Sequence, residues 1–534
     1  MSIKLLFVTP IGFLAWLAAA FLTTSLSSRA TDRTALDEFV YANDPAYNFV
    51  VTDTKSGLFH TRYIIQMTSG SWRTENEVDR TLWKHWMTVY VPSSVTKRTA
   101  LLVVSGGSNE KLPDFGELDD TIGPISALTG SVIVDVGQIP NQPLTFSDET
   151  ESRSEDALLA YSWKKFLDDP EDLSWPVHLP MARAVVRAMD TVQSLMSQVK
   201  PGDPIDDFIV AGASKRGWAT WLTAAAENGP LGTGRVSAII PIVIDTLNVE
   251  TSFDHHFKVY GSWAPAVHDY LDAGAMDKLG TPESEALFDI VDPYSYLERL
   301  TMPKLILSSA GDQFFLPDSW KFYYDELPGK KWLRYFPNTD HSLSQLSDPL
   351  VEILPLYVAL IDDGADAIPD YSWSLLPNGA IELQTSEAVS SAKLWQATNP
   401  EARDFRFEEI GAAYHSTTLS DQGGGTYIGT VTPPESGWTA YFVEIDLING
   451  RSATSGIYLI TKPEPLNLQI KHAVDEVELS FNSKRGEWYR LYSGDRPDQM
   501  SLTETIIPDG DITTWIDPAP EEERKFYQIE SITP

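Results

Sequence analysis

The sequence contains no cysteine, although it is 534 residues long. This absence excludes disulfide bonds, cysteine-ligated zinc, iron–sulfur clusters and a thiol nucleophile. Basic residues are also scarce, since 40 Lys and Arg stand against 75 Asp and Glu, for a formal net charge of −35. Nucleic-acid binding needs a basic face, so we expect no nucleic-acid partner, and docking on anionic lipid is disfavoured.

Long apolar runs are missing too, except at the N-terminus. Lys4 precedes an apolar run over 5–22, and small and polar residues then lead to Ala30. This order is typical of a signal peptide over 1–30, cleaved after Ala30. The run is also nearly long enough for an uncleaved membrane anchor, which is the alternative. In both cases the body is exported, secreted or periplasmic, with no stable membrane partner unless the segment is retained.

The rest of the chain can bury a large core, because it is 43% hydrophobic and has 16 Trp. Over 31–370, short apolar strands alternate with helical periodicity, which predicts an α/β domain. The predicted strands are 101–105, 131–135, 208–211, 236–244, 304–309 and 332–336, and the predicted helices are 181–200 and 215–226. The stretch 246–296 is too long for a simple connection and predicts an inserted cap.

After residue 370, helical periodicity gives way to alternating strand patterns rich in Thr, Ser and Gly. This predicts a β-sandwich-like domain over 371–465 and a small β module over 466–534, so the α/β domain is followed by C-terminal all-β modules. We expect no metal or other cofactor. Asp254-His255-His256 is the one tempting cluster, but adjacent histidines diverge and no third ligand stands at a signature spacing.

One segment has the pattern of a nucleophile. Gly212-Ala213-Ser214 follows an apolar strand and runs into an amphipathic helix, an arrangement typical of the nucleophile elbow. Small neighbours are needed there because the serine backbone is strained. The usual spacing is G-x-S-x-G, whereas here Arg216 displaces the second glycine to Gly217. The motif is therefore weak when it stands alone.

The order of later residues strengthens this prediction, because such triads run Ser, acid, His along the chain. Asp312 follows the strand 304–309, and His341 follows the strand 332–336. We predict Ser214 as nucleophile, His341 as base and Asp312 as the acid that orients it. Asp312 could instead cap its loop. Asp245 and Asp340 are alternative acids, although Asp340 is adjacent to His341 in the sequence and its side chain is expected to point away.

The oxyanion hole of such a site needs backbone N–H donors. We expect one from Lys215, which follows the nucleophile, and the other from the turn at Gly106 and Gly107, which follows the strand 101–105. The alternative for the second position is an ordinary Gly-Gly turn.

Charged residues beside the nucleophile are candidates for substrate binding. Lys215 and Arg216 either bind an acidic group of the substrate or pair with acids of the chain itself. Glu155 and Asp156 begin a predicted helix and either line the cleft or cap that helix. The candidate substrate-binding residues are therefore Arg216, Glu155 and Asp156. Trp83, His85 and Trp86 are predicted in the core.

Several longer motifs carry a family resemblance. They are Ala211-Gly-Ala-Ser-Lys-Arg-Gly-Trp-Ala-Thr-Trp-Leu222, Ile240-Pro-Ile-Val-Ile-Asp245, Val291-Asp-Pro-Tyr-Ser-Tyr296, Phe314-Phe-Leu-Pro-Asp318 and Asn338-Thr-Asp-His341. Over 36–462 the chain resembles the PhoPQ-activated pathogenicity-related protein family, which is itself similar to autocrine proliferation repressor proteins. The resemblance implies an α/β-hydrolase fold, secretion and the Ser214–Asp312–His341 triad. It implies little about the substrate.

Two functions are therefore expected from the sequence. The first is a secreted serine hydrolase, an esterase or peptidase, which acts by acyl transfer on a peptide or ester substrate, carbohydrate-linked substrates included. The second is a non-catalytic extracellular signalling or binding protein on a hydrolase scaffold.

Overall fold

The structure is a computed structural model that describes residues 32–113, 119–346, 349–462, 468–472, 477–483, 488–494, 501–506, 512–517 and 526–532. The predicted signal peptide over 1–30 lies outside the described residues. Within the described ranges, none of the helices combines the length and apolarity that a membrane crossing requires. Two compact units are present: residues up to 239 with 286–303 and 326–330, and residues 240–285, 304–325 and 331 onward.

The first unit is built on a mixed sheet. Its strands are β1 (Asn48–Ser56), β2 (His60–Ser71), β3 (Leu82–Pro92), β4 (Thr99–Val104), β5 (Ile133–Val136), β6 (Asp207–Ala213) and the beginning of β7 (Val236–Ile242). They lie in the order β1-β2-β3-β5-β4-β6-β7. The first pairings are antiparallel, whereas β4 runs parallel to β5 and β6, with Leu101 opposite both Ile133 and Ile209.

Two of the five helices of the first unit described here contribute buried tryptophans. The five are α1 (Ala35–Val40), α2 (Asp119–Thr129), α3 (Glu155–Asp168), α4 (His178–Val199) and α5 (Lys215–Glu227). Nearly every residue of α5 is buried, so α5 is a core helix rather than a surface one. Trp163 of α3 and Trp221 of α5 are among the largest fully buried side chains. The predicted helices 181–200 and 215–226 are confirmed by α4 and α5.

The second unit begins with the end of β7 and continues with β8 (Lys304–Ser309) and β9 (Lys331–Phe336). These two strands pair in parallel, and their bounds agree with the predicted strands 304–309 and 332–336. The helices beyond β7 are α6 (Val249–Tyr260), α7 (His268–Asp272), α8 (Pro282–Val291), α9 (Pro349–Asp363) and α10 (Phe407–Ile410), of which α8 ends in the first unit. Most of the predicted cap 246–296 is therefore helical.

Antiparallel strands make up most of the second unit after residue 370. They are β10 (Tyr371–Leu375), β11 (Ile381–Thr385), β12 (Val389–Asn399), β13 (His415–Thr418), β14 (Thr426–Gly429), β15 (Trp438–Leu447), β16 (Ser452–Thr454), β17 (Tyr458–Thr461), β18 (Gln469–His472), β19 (Val477–Asn482), β20 (Trp488–Gly494), β21 (Ser501–Ile506), β22 (Ile512–Asp517) and β23 (Phe526–Ile532).

These strands form four small sheets, in the orders β10-β11-β14, β13-β12-β15-β16 with β17 beside β15, β18-β19-β22, and β21-β20-β23. The predicted fold class is thereby confirmed as an α/β domain followed by C-terminal all-β modules. The predicted domain boundaries stay predictions.

Candidate active site

Ser214 lies in the turn between β6, which ends at Ala213, and α5, which begins at Lys215. Its backbone has φ 57° and ψ −128°, a combination that ordinary residues rarely adopt and that costs roughly 1–3 kcal/mol. Gly212 makes this turn possible, because a Cβ there would lie 2.5 Å from the carbonyl oxygen of Arg216. The strand and the helix therefore approach as closely as a nucleophile elbow requires.

Both cations that follow Ser214 are paired with carboxylates of α3. The Arg216 guanidinium donates to both oxygens of Glu155, at 2.8 and 2.7 Å. The Lys215 ammonium lies 2.9 Å from Glu155 and 2.9 Å from Asp156. Burial pushes the pKa of Glu155 upward, but the hydrogen bonds and charges of Arg216 and Lys215 lower it to about 2. Lys215 and Arg216 therefore do pair with acids of the chain itself. Substrate binding by Arg216, Glu155 and Asp156 stays a prediction.

The turn after β4 depends on its two glycines. A Cβ on Gly106 would lie 2.6 Å from Nη2 of Arg216, so a side chain there would displace the guanidinium. Gly107 has φ 133°, where residues with side chains are strained. The N–H of Lys215 belongs to the first turn of α5, whose donors have no acceptor within the helix. The oxyanion hole of Lys215, Gly106 and Gly107 stays a prediction on this geometry.

A glutamine that sequence reasoning missed holds this glycine turn in place. Gln138 has φ 61° and its backbone N–H donates to the carbonyl of Gly106 at 2.7 Å. Its side chain donates to the carbonyl of Ser108 at 3.0 Å and accepts from the N–H of Trp86 at 3.1 Å. The same turn is held a second time by Gln142, which donates to the carbonyl of Gly107 at 3.3 Å. No sequence signal marks these residues, because their contacts join separate loops.

We expect Gln138→Ala to lower kcat about tenfold, with KM little changed. The substitution leaves the N–H of Trp86 and the carbonyl of Ser108 without their side-chain partner, and about 1.4 kcal/mol of lost positioning corresponds to that factor. Steady-state kinetics on an activated ester measures both constants. The matched control is Gln193→Ala, because Gln193 donates to the carbonyl of Ile205 at 2.9 Å outside the turn. An equal decrease of kcat in both variants, or a change of KM with kcat unaltered, would contradict a positioning role.

The second unit brings together the other two predicted residues. Nδ1 of His341 lies 2.8 Å from Oδ2 of Asp312. The remaining oxygen of Asp312 accepts from the N–H groups of Phe314 and Phe315, at 2.8 and 3.3 Å. The backbone of His341 donates to Gln313 at 2.8 Å, and its ring centroid lies 4.5 Å from that of Phe314. Asp312 is therefore fixed in the position that orients an imidazole.

The loops that carry this pair rest on residues 407–414. The carbonyl of Gly311 accepts from the N–H of Phe407 at 2.9 Å. The side chain of Asn338 makes two bonds to the backbone of Tyr414, each of 2.8 Å. These supports lie in the predicted second domain, so the all-β part of the chain positions both the acid loop and the histidine loop.

Asp245 and Asp340 have partners other than His341. The Asp245 carboxylate accepts from the hydroxyls of Tyr323 and Tyr335. Burial raises its pKa to about 7, with the charge of Asp312 adding to the shift and the tyrosine bonds opposing it. Asp340 instead accepts from Ser342 in its own turn at 2.9 Å.

The side chains of Asp254, His255 and His256, which the sequence disfavours as a metal cluster, make separate contacts. His255 bonds to Asp318 at 3.1 Å, and His256 accepts from the N–H of Ala264 at 3.1 Å. The side chain of Asp254 pairs with Lys258 at 2.7 Å.

Asp318 is the centre of a buried charge cluster. Besides His255, it pairs with Arg403 at 2.7 Å and with Lys321 at 2.8 Å. Burial alone raises the pKa of Asp318, but the charges of Lys321, His255 and Arg403 hold it well below its usual range.

The parallel strands, the strained serine turn and the paired acid and histidine define an α/β-hydrolase fold. A family model for the PhoPQ-activated pathogenicity-related protein matches residues 36–406. The chain belongs to this family. The match starts at the expected residue and ends before the expected 462, so residues 407–414, which support the loops, lie beyond it.

Among known proteins, the chain is similar to autocrine proliferation repressor protein A of Dictyostelium discoideum, with 35% identity over 493 residues, 89% of this chain and 96% of that protein. Among solved structures, acetyl xylan esterase from Paenibacillus sp. R4 gives a TM-score of 0.41 at 14% identity, covering 61% of this chain and 92% of the esterase. Glucuronoyl esterase from Solibacter usitatus gives a TM-score of 0.34 at 13% identity, covering 62% and 90%.

Proposed function

We propose that the protein is an exported serine hydrolase that cleaves an ester or peptide bond by acyl transfer. The observation that carries this proposal is the strained backbone of Ser214, with φ 57° at a strand-to-helix turn. Such strain persists only where surrounding structure enforces it, and it serves to expose a nucleophile at the end of a strand. The paired Asp312 and His341 support the same chemistry.

In the proposed reaction, His341 takes the proton of the Ser214 hydroxyl as the oxygen attacks the substrate carbonyl. Asp312 accepts a hydrogen bond from Nδ1 of His341, so it orients the ring and stabilises the imidazolium. Backbone N–H groups of Lys215 and the Gly106–Gly107 turn stabilise the oxyanion. The imidazolium then protonates the leaving alcohol or amine, and water releases the acyl group by the reverse sequence of proton transfers.

A fluorophosphonate probe tests the nucleophile directly. We expect the native protein to be labelled on Ser214, because such probes react with serines that a neighbouring base activates. Ser214→Ala abolishes the labelling, whereas Ser237→Ala, a change on the exposed side of β7, leaves it in place. Labelling is read by gel fluorescence and the modified residue by peptide mass spectrometry. A folded native protein that is never labelled overturns the proposal.

A second function is favoured by the name of a relative. The similar protein from Dictyostelium discoideum is described as an autocrine proliferation repressor, so a signalling or binding role on a hydrolase scaffold is the competing proposal. The catalytic and the signalling proposals are separated by adding purified Ser214→Ala protein to cells whose proliferation responds to the native protein. An effect equal to that of the native protein supports binding, and a lost effect supports catalysis.

A further inference from the structure

A small cavity on the first unit has a charge opposite to that of the whole chain. It has a volume of about 150 Å³ and is lined by residues from β2, β3 and the loops beside them, including Arg80, Lys84, Asn109, Gln138 and Asn141. None of the described residues that line it is acidic. In a chain with a net charge of −35, two cations facing an otherwise amide-rich cavity form a local site of positive potential.

The amides of this cavity add donors of fixed position. Nδ2 of Asn109 is buried and, within the described part of the chain, has no hydrogen-bond partner. Unpaired buried donors are costly, so this atom is suited to a ligand oxygen. Lys84 is exposed. Its backbone carbonyl accepts a hydrogen bond from the side chain of Asn141. Arg80 has an ion pair with Asp79 at 3.8 Å, a long contact.

His85 contributes no charge to the cavity. The imidazole is fully buried, bonds to Ser69 at 3.0 Å and to the carbonyl of Gly137 at 3.1 Å, and burial lowers its pKa to about 4. The positive potential at neutral pH therefore comes from Arg80 and Lys84 alone among the lining residues.

The cavity adjoins the glycine turn of the candidate active site. A second cavity of about 420 Å³ is lined by Gly106, Gly107 and Glu155, and Trp86 and Gln138 line both cavities. Trp86 was predicted in the core together with Trp83 and His85. Those two are fully buried, but Trp86 is only partly buried and lines both cavities.

We propose that the small cavity is an anion subsite, which receives a carboxylate or sulfate group carried by the substrate. The two cations attract the anion, and the amide of Asn109 donates to its oxygens. The assignment of this anion to a substrate rests on the proposed hydrolase function, whereas anion binding itself does not. The preferred substrate is then an ester or peptide bond with a negatively charged group on one side.

The binding arm of the test needs no catalysis. Ligand-observed NMR compares glutarate and sulfate with glutaramide, the neutral analogue of glutarate, on the native protein. We expect binding of the anions and not of glutaramide, and weaker binding in Lys84→Gln and Arg80→Gln and at higher ionic strength. The control is Arg98→Gln, which removes the same charge from an exposed residue of the first unit that pairs with Asp206 at 2.6 Å. Binding of glutarate but not of sulfate assigns the subsite to a carboxylate group. Binding of sulfate but not of glutarate assigns it to a sulfate group.

The kinetic arm compares mono-p-nitrophenyl glutarate with p-nitrophenyl butyrate. We expect Lys84→Gln and Arg80→Gln each to lower the ratio of kcat/KM values, charged over neutral, about fivefold, the effect of losing about 1 kcal/mol from an exposed ion pair. Arg98→Gln leaves the ratio unchanged. Hydrolysis without anion binding or charge preference overturns the subsite and leaves the hydrolase. Anion binding by a protein that hydrolyses neither ester and is not labelled by the fluorophosphonate probe overturns the hydrolase and leaves the subsite.

Discussion

Asp312→Asn is expected to lower kcat about 10⁴-fold while the protein stays folded. The asparagine keeps the size of the side chain, but its amide N–H can donate to Nδ1 of His341 and so favours the tautomer with the proton on Nε2. The imidazolium that forms during the reaction also loses the negative charge that stabilises it. The 2.8 Å contact between Nδ1 and Oδ2 is the geometry on which this expectation depends. The measurement is kcat on an activated ester, with circular dichroism to check folding.

Asp245→Asn is the matched control, because Asp245 is a carboxylate that the sequence allows as an alternative acid and that follows a strand, as Asp312 does. Tyr323 donates to one oxygen of Asp245 and Tyr335 donates to the other. In asparagine the remaining oxygen accepts one of these bonds, and the amide N–H donates to the other hydroxyl, which can also accept. We expect a loss of less than about tenfold, or about 1.4 kcal/mol of the barrier, from this change. If Asp245→Asn reduced kcat as strongly as Asp312→Asn, the acid of the triad would have to be reassigned.

Asp318→Asn is expected to lower the free energy of unfolding by about 3–5 kcal/mol. The side chains of Asp318 and Arg403 are only 4% and 3% exposed, so removing the carboxylate leaves a buried guanidinium without the charge that balances it. Lys321 loses the same partner. Denaturant titration followed by tryptophan fluorescence measures the change. The control is Asp254→Asn, where the carboxylate is 54% exposed and pairs with Lys258, so the expected cost is about 0.5 kcal/mol. Equal costs would contradict a structural role for the Asp318 cluster.

The same cluster makes stability depend on pH. The pKa of Asp318 is depressed by folding, so its contribution is present above the unfolded value of about 3.9 and is lost as the pH falls through the lower folded value. Burial lowers the pKa of His255 to about 4, so the native protein also loses stability as the pH falls from about 6.5 toward that value. The difference between native protein and Asp318→Asn is therefore expected to shrink below about pH 4.

The local patterns of the chain predicted its elements well. β8 was predicted from its apolar run over 304–309 and has the same bounds, and α4 and α5 follow the predicted helices within a few residues. These patterns are readable because burial of one helix face or of a whole strand imposes a period on neighbouring residues. The turn at Ser214 was predicted for the same reason, since its small residues follow directly from the close approach of strand and helix.

Apart from the pairing of Asp312 with His341, the long-range partners were not predicted. Gln138 lies near the glycine turn only because β4 and β5 are neighbours in the sheet, and Tyr414 supports Asn338 across 76 residues of chain. The cations beside Ser214 left two alternatives open in the sequence, and the position of α3 decided that they pair with Glu155 and Asp156.

By itself, the sequence determined the absence of thiol chemistry, the acidic character of the chain and the α/β class, and it named candidates for nucleophile, acid and base. These properties follow from composition and from local periodicity, both of which can be read from a segment without knowing what it packs against. Only the tertiary structure decided which carboxylate holds His341, which residues support the loops, and where a cationic cavity lies in an acidic protein. Those properties depend on distances between segments far apart in the chain, and such distances are fixed by packing.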